Sequence, residues 1–600
     1  MTTAEYIFKY LADKGVRHVF LVTGGGAMFL NDALGKEKRL KYVCNLHEQA
    51  CAIAAEGYAR VTGTPGVVSV TTGPGGTNAV TGVAGAWLDS IPMLIISGQV
   101  KCENCMTFYP ELTLRQLGDQ ELNIIDVVRP ITKYAAIIRK PEDIRFELEK
   151  AWYLCQSGRP GPVWLDVPLD IQSSVIDASQ LRGYVPEQDV LPPAVTDMQI
   201  AEIVEKIKNA KRPVIVAGNG VRCGKAVSLL HEFAEKHDVP FLTSISGIDL
   251  IESEHPLFFG RPGILGERSA NFIMQNSDFL LVLGTRMGLR VIGYAYEKTA
   301  RAAFKVMVDA DAGELQKPTF KPDIPVHADA GNFLKKLLPA VPQDWRSSQD
   351  WLDYCRRLKN QYPVVTDEHR SRTDYVSTYA FAELIGKKCA DNAVVVTGNG
   401  VAYTSTFQAI PVQKNMRVFA NQGCASMGYG LPAAIGAAFA GKGKEVICLT
   451  GDGSLQMNIQ ELQTIKNYDL PLKLFVYNNG GYLSIKLTQK AFFNGHFVGS
   501  EAGSGIVLPD LEKLAAAYGL PFRRFRNNAE AEKYLPGVLS HSGPVIVEVM
   551  TDPFEVLSPK AASKQLSDGR IVSAPLEDLS PFLPRDEFFA NMFIPPVEEE

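Results

Sequence analysis

An acid set inside a glycine turn is the first feature of this 600-residue chain with chemical potential. The stretch "EVICLTGDGS" carries one apolar run into Gly451, Asp452 and Gly453, and "LKLFVYNNGG" carries the next into Asn478 and Asn479. Asp452 and Asn479 lie 27 positions apart. Glycines let backbone N–H groups approach an anion closely, and a helix N-terminus favours negative charge. A carboxylate in such a turn would repel a phosphate unless a cation lay between them. Mg²⁺ takes about six oxygens and commonly shares them between protein and phosphate. Side-chain oxygens of Asp452 and Asn479, with a backbone carbonyl at Gly481, would supply three of them. The plainer reading is an Asp helix cap followed by an Asn turn. Two such turns on successive strand ends favour the cation, and with it a diphosphate.

The elements that must hold these turns are apolar runs ending in Gly, Pro, Asn or Asp. They include "GVVSVTT" (66–72), "PMLIISG" (92–98), "PVWLDVP" (162–168), "PVIVAGNG" (213–220), "FLLVLGT" (279–285), "FKVMVDAD" (304–311) and "AVVVTGNG" (393–400). Helical-period segments separate them, the pattern of parallel sheets buried on both faces. Ligands in such folds sit beyond the carboxyl ends of the strands. A helix after "GDG" is expected to bury Leu455, Ile459, Leu462 and Ile465 in one stripe. Pro-rich "YVPEQDVLPPAVTD" (184–197) and "PAVPQDWRSSQDW" (339–351) read as linkers. The expected fold is therefore α/β, with three consecutive doubly wound parallel-sheet domains over 1–180, 190–340 and 365–550. A tail over 553–600 would act as a lid or pack along the surface. The first and third units echo each other as Gly turn, helix, acid, proline and strand, a weak internal repeat around an unrepeated unit.

Composition narrows the function. Apolar residues are 46%, charged residues 21% and net charge −5, ordinary for a globular protein and no footprint for nucleic acid. The opening "MTTAEYIFKYLADKGV" reads as an amphipathic helix on Tyr6, Ile7, Tyr10 and Leu11, without the basic and apolar regions of a signal peptide. No apolar run suggests a membrane span. Ten scattered cysteines suit the cytoplasm, and Cys102-x-x-Cys105 lacks the second pair that zinc needs.

"GDG" followed by "NN" at this spacing resembles the signature of thiamine-diphosphate-dependent enzymes. "FLVTGGGAMFLNDAL", "NLHEQACAIAAEGYAR", "TTGPGGTNAVTGVAGAWLDSIPMLIISGQV", "SGRPGPVWLDVPLDIQ", "GTRMGLRV" and "ASMGYGLPAAIGAA" resemble, in order, segments of acetolactate-synthase-like carboligases. The resemblance covers residues 1 to about 550. It implies a pyrimidine-binding first domain, a diphosphate-binding third domain, and thiamine diphosphate held with Mg²⁺ by Asp452, Asn479 and Gly481. It implies that Glu48 hydrogen-bonds the pyrimidine and is catalytic. Gly25 and Gly26 would line the substrate side, and Gln120 would orient a substrate oxygen. Gly398, Asn399 and Gly400 would meet the phosphates with Gly453 and Ser454, while Ala425, Met427, Tyr482 and Leu483 would complete the cofactor contacts. Without the resemblance, Glu48 is a helix N-terminal acid and Met427 a core methionine. The family's site forms between subunits, which implies a homodimer or homotetramer.

In the flavin-containing members, segments matching the middle unit bind FAD. Here they contain Arg159, Gly218, Asn219, Gly220 and Ile245. Further along come Gly263, Ile264, Gly284, Arg286 and Arg290, then Asp309, Glu314 and Asp329. Arg286 and Arg290 would meet a diphosphate and Asp309 a ribose hydroxyl. A middle domain that keeps only its fold is the other reading.

The chain departs from acetolactate synthase itself. Asp119 stands where the family has a phenylalanine before Gln120, Leu169 where it has a lysine, and Thr488 near a pocket-narrowing tryptophan. With the tail "SDGRIVSAPLEDLSPFLP", this resembles carboligases that build branched sugars, such as the yersiniose-pathway flavoenzyme. The expected reaction is decarboxylation of a 2-keto acid, pyruvate first, and transfer of the two-carbon unit to an acceptor carbonyl, a ketone or nucleotide-linked keto-sugar. Acetolactate synthase proper, another 2-keto-acid decarboxylase, and a non-catalytic cofactor-binding scaffold are the rivals.

Overall fold

Each apolar run named above forms a buried strand, and every strand pairing in the three large sheets is parallel. The structure is a computed structural model that describes residues 1–186, 192–441, 443–565 and 570–597. Part of the first linker (187–191) and the Ser567–Gly569 start of the quoted tail motif lie outside the described residues.

The first sheet contains β1 (His18–Leu21), β2 (Lys41–Cys44), β3 (Gly66–Val70), β4 (Met93–Gln99), β5 (Tyr134–Ile137) and β6 (Pro162–Pro168), in the order β2-β1-β3-β4-β6-β5. The middle sheet is β7 (Pro213–Ala217), β8 (Phe241–Thr243), β9 (Phe279–Leu283), β10 (Phe304–Asp309) and β11 (Ile324–His327), ordered β11-β10-β9-β7-β8. The third is β12 (Val394–Thr397), β13 (Arg417–Phe419), β14 (Val446–Gly451), β15 (Leu472–Asn478), β16 (Phe522–Phe525) and β17 (Val545–Met550), ordered β13-β12-β14-β15-β17-β16. The outer sheets thus share one strand order, so the faint sequence repeat is a repeat of topology.

The outer units meet along two helices, Glu48–Thr62 and Gly430–Ala440. Their small residues permit close approach. A Cβ on Gly57 would stand 2.3 Å from the Ala433 carbonyl oxygen, and one on Gly436 would stand 1.8 Å from that of Ala54.

Several expectations need correction. The helix after "GDG" is broken into Asp452–Leu455, a 3-10 turn over Gln456–Asn458, and Glu461–Asn467. Leu455, Leu462 and Ile465 are still buried together in one core. The first helix, Thr3–Asp13, buries Ala4, Ile7, Phe8 and Leu11, while Tyr6 and Tyr10 are half-buried at its margin. Residues 339–351 are not an extended linker. Pro339 lies in the helix Ala330–Ala340, and Trp351 enters the middle core from the helix Gln349–Gln361. The described part of the tail packs, one of the two outcomes expected of it. Leu576 and Phe588 join the middle core, and Arg301 pairs with Glu577 at 2.8 Å. Among the described residues no helix is long and apolar enough to cross a membrane.

Beneath the loop carrying Gln120, the Asp166 carboxylate of β6 accepts hydrogen bonds from Ser97 and Gln99, and Gln99 also donates to the Leu122 carbonyl. Burial pushes the Asp166 carboxyl up to about 7. An unfolded Asp titrates near about 3.9. Between those values the folded chain holds a proton that the unfolded chain has lost. The stability from this group is therefore complete below the lower value and declines towards about pH 7, by up to ~1.4 kcal/mol per pH unit. Asp166→Asn should flatten the fall of the melting temperature between pH 5 and pH 7.5, as read by calorimetry. Parallel curves for variant and parent would contradict it.

Candidate active site

β14 and β15 are neighbours in register, Gly451 opposite Tyr477, so Asp452 and Asn479 emerge side by side at their carboxyl ends. Asp452 is 3% exposed. Its Oδ2 accepts the backbone N–H groups of Asn479 (3.2 Å), Gly480 (2.9 Å) and Gly481 (3.2 Å), and its Oδ1 that of Gly453 (2.8 Å). Burial nevertheless pushes its carboxyl up to about 6. Asn479 Oδ1 is buried without a hydrogen-bond partner among the described residues. A buried carboxylate beside an orphaned amide oxygen is a donor set short of a cation, and it fits Mg²⁺. Among the described residues no cluster of three His, Cys, Asp or Glu could hold a metal. The protein thus offers a partial shell, which suits a cation arriving with phosphate.

The rest of the third unit's turns converge here. Gly481 has φ +143°, and a Cβ there would meet the Ser500 carbonyl oxygen at 2.2 Å. A Cβ on Gly453 would strike the Tyr482 ring at 2.3 Å. Ser454 Oγ accepts the Gly428 N–H at 3.0 Å. Gly398 lies against Thr450, Asn399 Nδ2 donates to the Ser426 carbonyl at 2.7 Å, and Gly400 has φ +77°. Ala425 is held at φ +53°, and Met427 is 41% exposed, which excludes the core-methionine reading. Leu483 is buried and starts the helix Leu483–Phe492. Lys486, which the sequence reading missed, is buried and donates from Nζ to the Asn479 carbonyl at 2.9 Å.

A second set of turns gathers at the carboxyl ends of β1, β3 and β4. Glu48 is the first residue of its helix, is 8% exposed, and accepts from Asn78 Nδ2 at 3.0 Å. Gly25 and Gly26 form a 3-10 turn, and a Cβ on Gly26 would lie 1.8 Å from Thr72 Oγ1. Gln120 is exposed at φ +58°, its carbonyl pressed against Gly73. Glu48 and Asp452 share no hydrogen bond among the described residues. Burial pushes the Cys102 and Cys105 thiols up to about 12 and about 11, so this pair is not a reactive dithiol.

A third cleft, of about 430 Å³, opens at the ends of β7, β9 and β10. Arg159, Asn219, Gly220, Ile245, Gly284, Arg286, Arg290, Asp309, Glu314 and Asp329 line it. Gly218, Gly263 and Ile264 do not. Gly218 packs on Gly284 and Thr285, and Gly263 and Ile264 lie against the Arg290 backbone. Arg159 is engaged by Asp311 and Glu314, whereas Arg286 and Arg290 have no ion pair among the described residues. The outer units contribute Arg60, Asp89, Gln422 and Gly423, which sequence reading did not find because they come from the ends of two helices and a loop far apart in the chain.

This pairing of two unlike half-sites on twinned sheets is the architecture of a cofactor-dependent α/β enzyme. Family models agree. The N-terminal TPP-binding domain of thiamine pyrophosphate enzymes matches residues 1–121, the central domain 200–337, and the C-terminal TPP-binding domain 397–549. The chain belongs to the thiamine pyrophosphate enzymes. It is 32% identical to the large subunit of acetolactate synthase isozyme 1 of Escherichia coli K12, over 93% of this chain and 95% of that protein. It is 31% identical to the acetolactate synthase large subunit of Lactococcus lactis, over 95% and 96%. Acetolactate synthase 1 of Nicotiana tabacum is 30% identical, over 93% and 83%.

Asp452→Asn should weaken Mn²⁺ binding by about tenfold or more, since it removes the one charged ligand. The melting temperature of the cofactor-free protein should fall, because an NH₂ group would then face backbone N–H donors that the carboxylate oxygens accept. Electron paramagnetic resonance and calorimetry read both. Unchanged Mn²⁺ affinity would remove Asp452 from the cation site.

Proposed function

We propose that the chain releases carbon dioxide from a 2-keto acid, pyruvate first, and transfers the remaining two-carbon unit to an acceptor carbonyl bulkier than a second keto acid. The observation that carries this reading is the buried, cation-deficient pair Asp452 and Asn479, set in a chain whose other half-site presents a buried glutamate. When bound, thiamine diphosphate supplies a nucleophilic carbon and an electron sink for decarboxylation.

The chain's own residues do the rest. Asp452, Asn479 and the Gly481 turn would hold the cation, and the Gly398–Gly400 and Gly453–Ser454 turns the diphosphate. Ala425 and Met427 would seat the pyrimidine, and Tyr482 and Leu483 would close the turn beside it. Glu48 would hold a proton at the pyrimidine nitrogen it faces, and its burial keeps water from competing for that proton. Gln120 would orient a substrate oxygen, with Gly25 and Gly26 leaving room beside it. By the family resemblance, a second copy would complete each site, giving a homodimer or homotetramer. The middle cleft would hold FAD, with Arg286 and Arg290 on its diphosphate and Asp309 near a ribose. Carboligation needs no net redox step from it.

Acceptor size is read from three positions. Asp119 is exposed beside Gln120, Leu169 is half-buried where a cation would be expected, and Thr488 is exposed on the helix Leu483–Phe492. Together they leave a roomier and more polar pocket, suited to a ketone or a nucleotide-linked keto-sugar, as in branched-sugar carboligases. Acetolactate synthesis is the second reading, favoured by the relatives named above.

Glu48→Gln should lower carbon dioxide release from pyruvate by about 100-fold or more without changing the circular dichroism, in line with loss of a general acid–base group. Mass analysis of products from pyruvate with a panel of ketones and keto-sugars should show cross-products. Acetolactate as the dominant product in every mixture would decide for the second reading. Absorbance near 450 nm in the purified protein would report the flavin.

A further inference from the structure

Glu461 opens the helix Glu461–Asn467 in the third unit and is fully buried. It does not face the cation turn of its own unit. Its Oε1 accepts the Leu46 N–H at 2.9 Å, and its Oε2 accepts Asn45 Nδ2 at 2.8 Å and Thr464 Oγ1 at 2.7 Å. Tyr468, which ends the same helix, accepts the Cys44 N–H on its hydroxyl at 2.9 Å. Three successive residues at the end of β2 are therefore tied to one helix of another unit. The next residue, His47, caps the helix that Glu48 begins, accepting the Gln49 N–H on Nδ1 at 3.2 Å.

The segment from Asp452 to Glu461 touches three parts of the machinery. Asp452 holds the Asn479–Gly481 turn. Ser454 and Asn458 bracket Gly428, accepting its N–H and donating to its carbonyl. Glu461 holds the lead-in to Glu48. A buried carboxylate that accepts a backbone N–H and a side-chain amide across a domain boundary is costly to place unless every bond is made. Here the bonds fall on the two residues that precede the cap.

We propose that Glu461 is the positioning residue for Glu48. By pinning Asn45 and Leu46 to the third unit, it fixes the direction in which Glu48 leaves the first. The proposal rests on the reading of Glu48 as the residue that holds the pyrimidine proton. Glutamine at position 461 keeps the shape but replaces one acceptor oxygen with an NH₂ group. That group would face the Leu46 N–H or the Asn45 amide donor, and the lead-in would loosen.

The test compares Glu461→Gln and Glu48→Gln in the full-length protein. Three quantities are measured: kcat and KM for carbon dioxide release, Mn²⁺ affinity by electron paramagnetic resonance, and hydrogen–deuterium exchange of the cofactor-free chain. Glu461→Gln is expected to lower kcat by about tenfold or more, with KM and Mn²⁺ affinity within about threefold, the split expected of a group acting only on the reacting geometry. Exchange should quicken in residues 44–50 and stay unchanged around 476–482. A normal kcat for Glu461→Gln beside an inactive Glu48→Gln would overturn the proposal. So would a joint loss of kcat, Mn²⁺ affinity and global protection, which marks a merely structural residue. An active Glu48→Gln would instead overturn the reading of Glu48 on which the proposal stands. If Glu461→Gln does not fold, Asn45→Ala removes a single bond of the set and is read by the same criteria.

Discussion

Two glycines at one helix crossing carry the geometry of the whole molecule. Gly57 lets the Ala433 carbonyl into the helix Glu48–Thr62, and Gly436 lets the Ala54 carbonyl into the helix Gly430–Ala440. Any side chain at either position would push the outer units apart, because the obstacle is backbone and not a flexible tip. A charged cluster beside the crossing sets its register. Arg60 pairs with Glu56 and Asp89 at 2.6 Å, all nearly buried. The same two acids accept from the third unit, Glu56 from Asn421 and Asp89 from the Gln422 and Gly423 N–H groups. Buried ion pairs of this kind are weak arguments for stability and better ones for a single arrangement. Here the arrangement they select is that of the 420–428 segment, which carries Ala425 and Met427.

The shared strand order of the outer sheets makes their difference informative. In both units the third strand in sequence ends in a glycine turn that faces a neighbouring loop. In the first unit Gly73 receives the Gln120 carbonyl, and no acid is present in the turn. In the third, Asp452 gathers three N–H groups from the turn after the next strand. One topology thus yields a turn that packs against a loop carbonyl and another that holds a buried carboxylate on four backbone N–H groups. The second keeps the Asn479–Gly481 turn in place through the acid's own hydrogen bonds.

The readable part of the fold was the central strands. β4, β6, β7, β9, β12 and β15 are short apolar runs closed by turn residues, and burial on both faces leaves no alternation to confuse the reading. Edge strands were not readable. β2 exposes three of its four residues and β5 is half-buried throughout, so neither shows a continuous run. The stripe after "GDG" predicted three buried residues correctly, left Ile459 only partly buried, and gave the helix wrongly, since successive short turns can present the same apolar side as one helix. In the site, the glycine and acid positions were visible because backbone conformation limits their types. Glu48 came from family resemblance alone, as its own surroundings in sequence describe any helix start. Glu461 and Lys486 were invisible, because what each does depends on a partner that only the fold brings near.

The helix Leu483–Phe492 divides its work between two faces. Leu483 and Lys486 face inward, the first into an apolar cluster and the second onto the Asn479 carbonyl. Ser484, Ile485, Thr488 and Phe492 face outward and are exposed. Residues three and four apart share a helix face, so the inward and outward sets are separate stripes. Ser484 lies near Gly400, which places the outward stripe beside the phosphate-side turn. Changes along that stripe meet solvent, while the inward stripe keeps the Asn479 turn in place. Thr488 belongs to the outward stripe, so its substitution does not touch Lys486, which holds the Asn479 carbonyl.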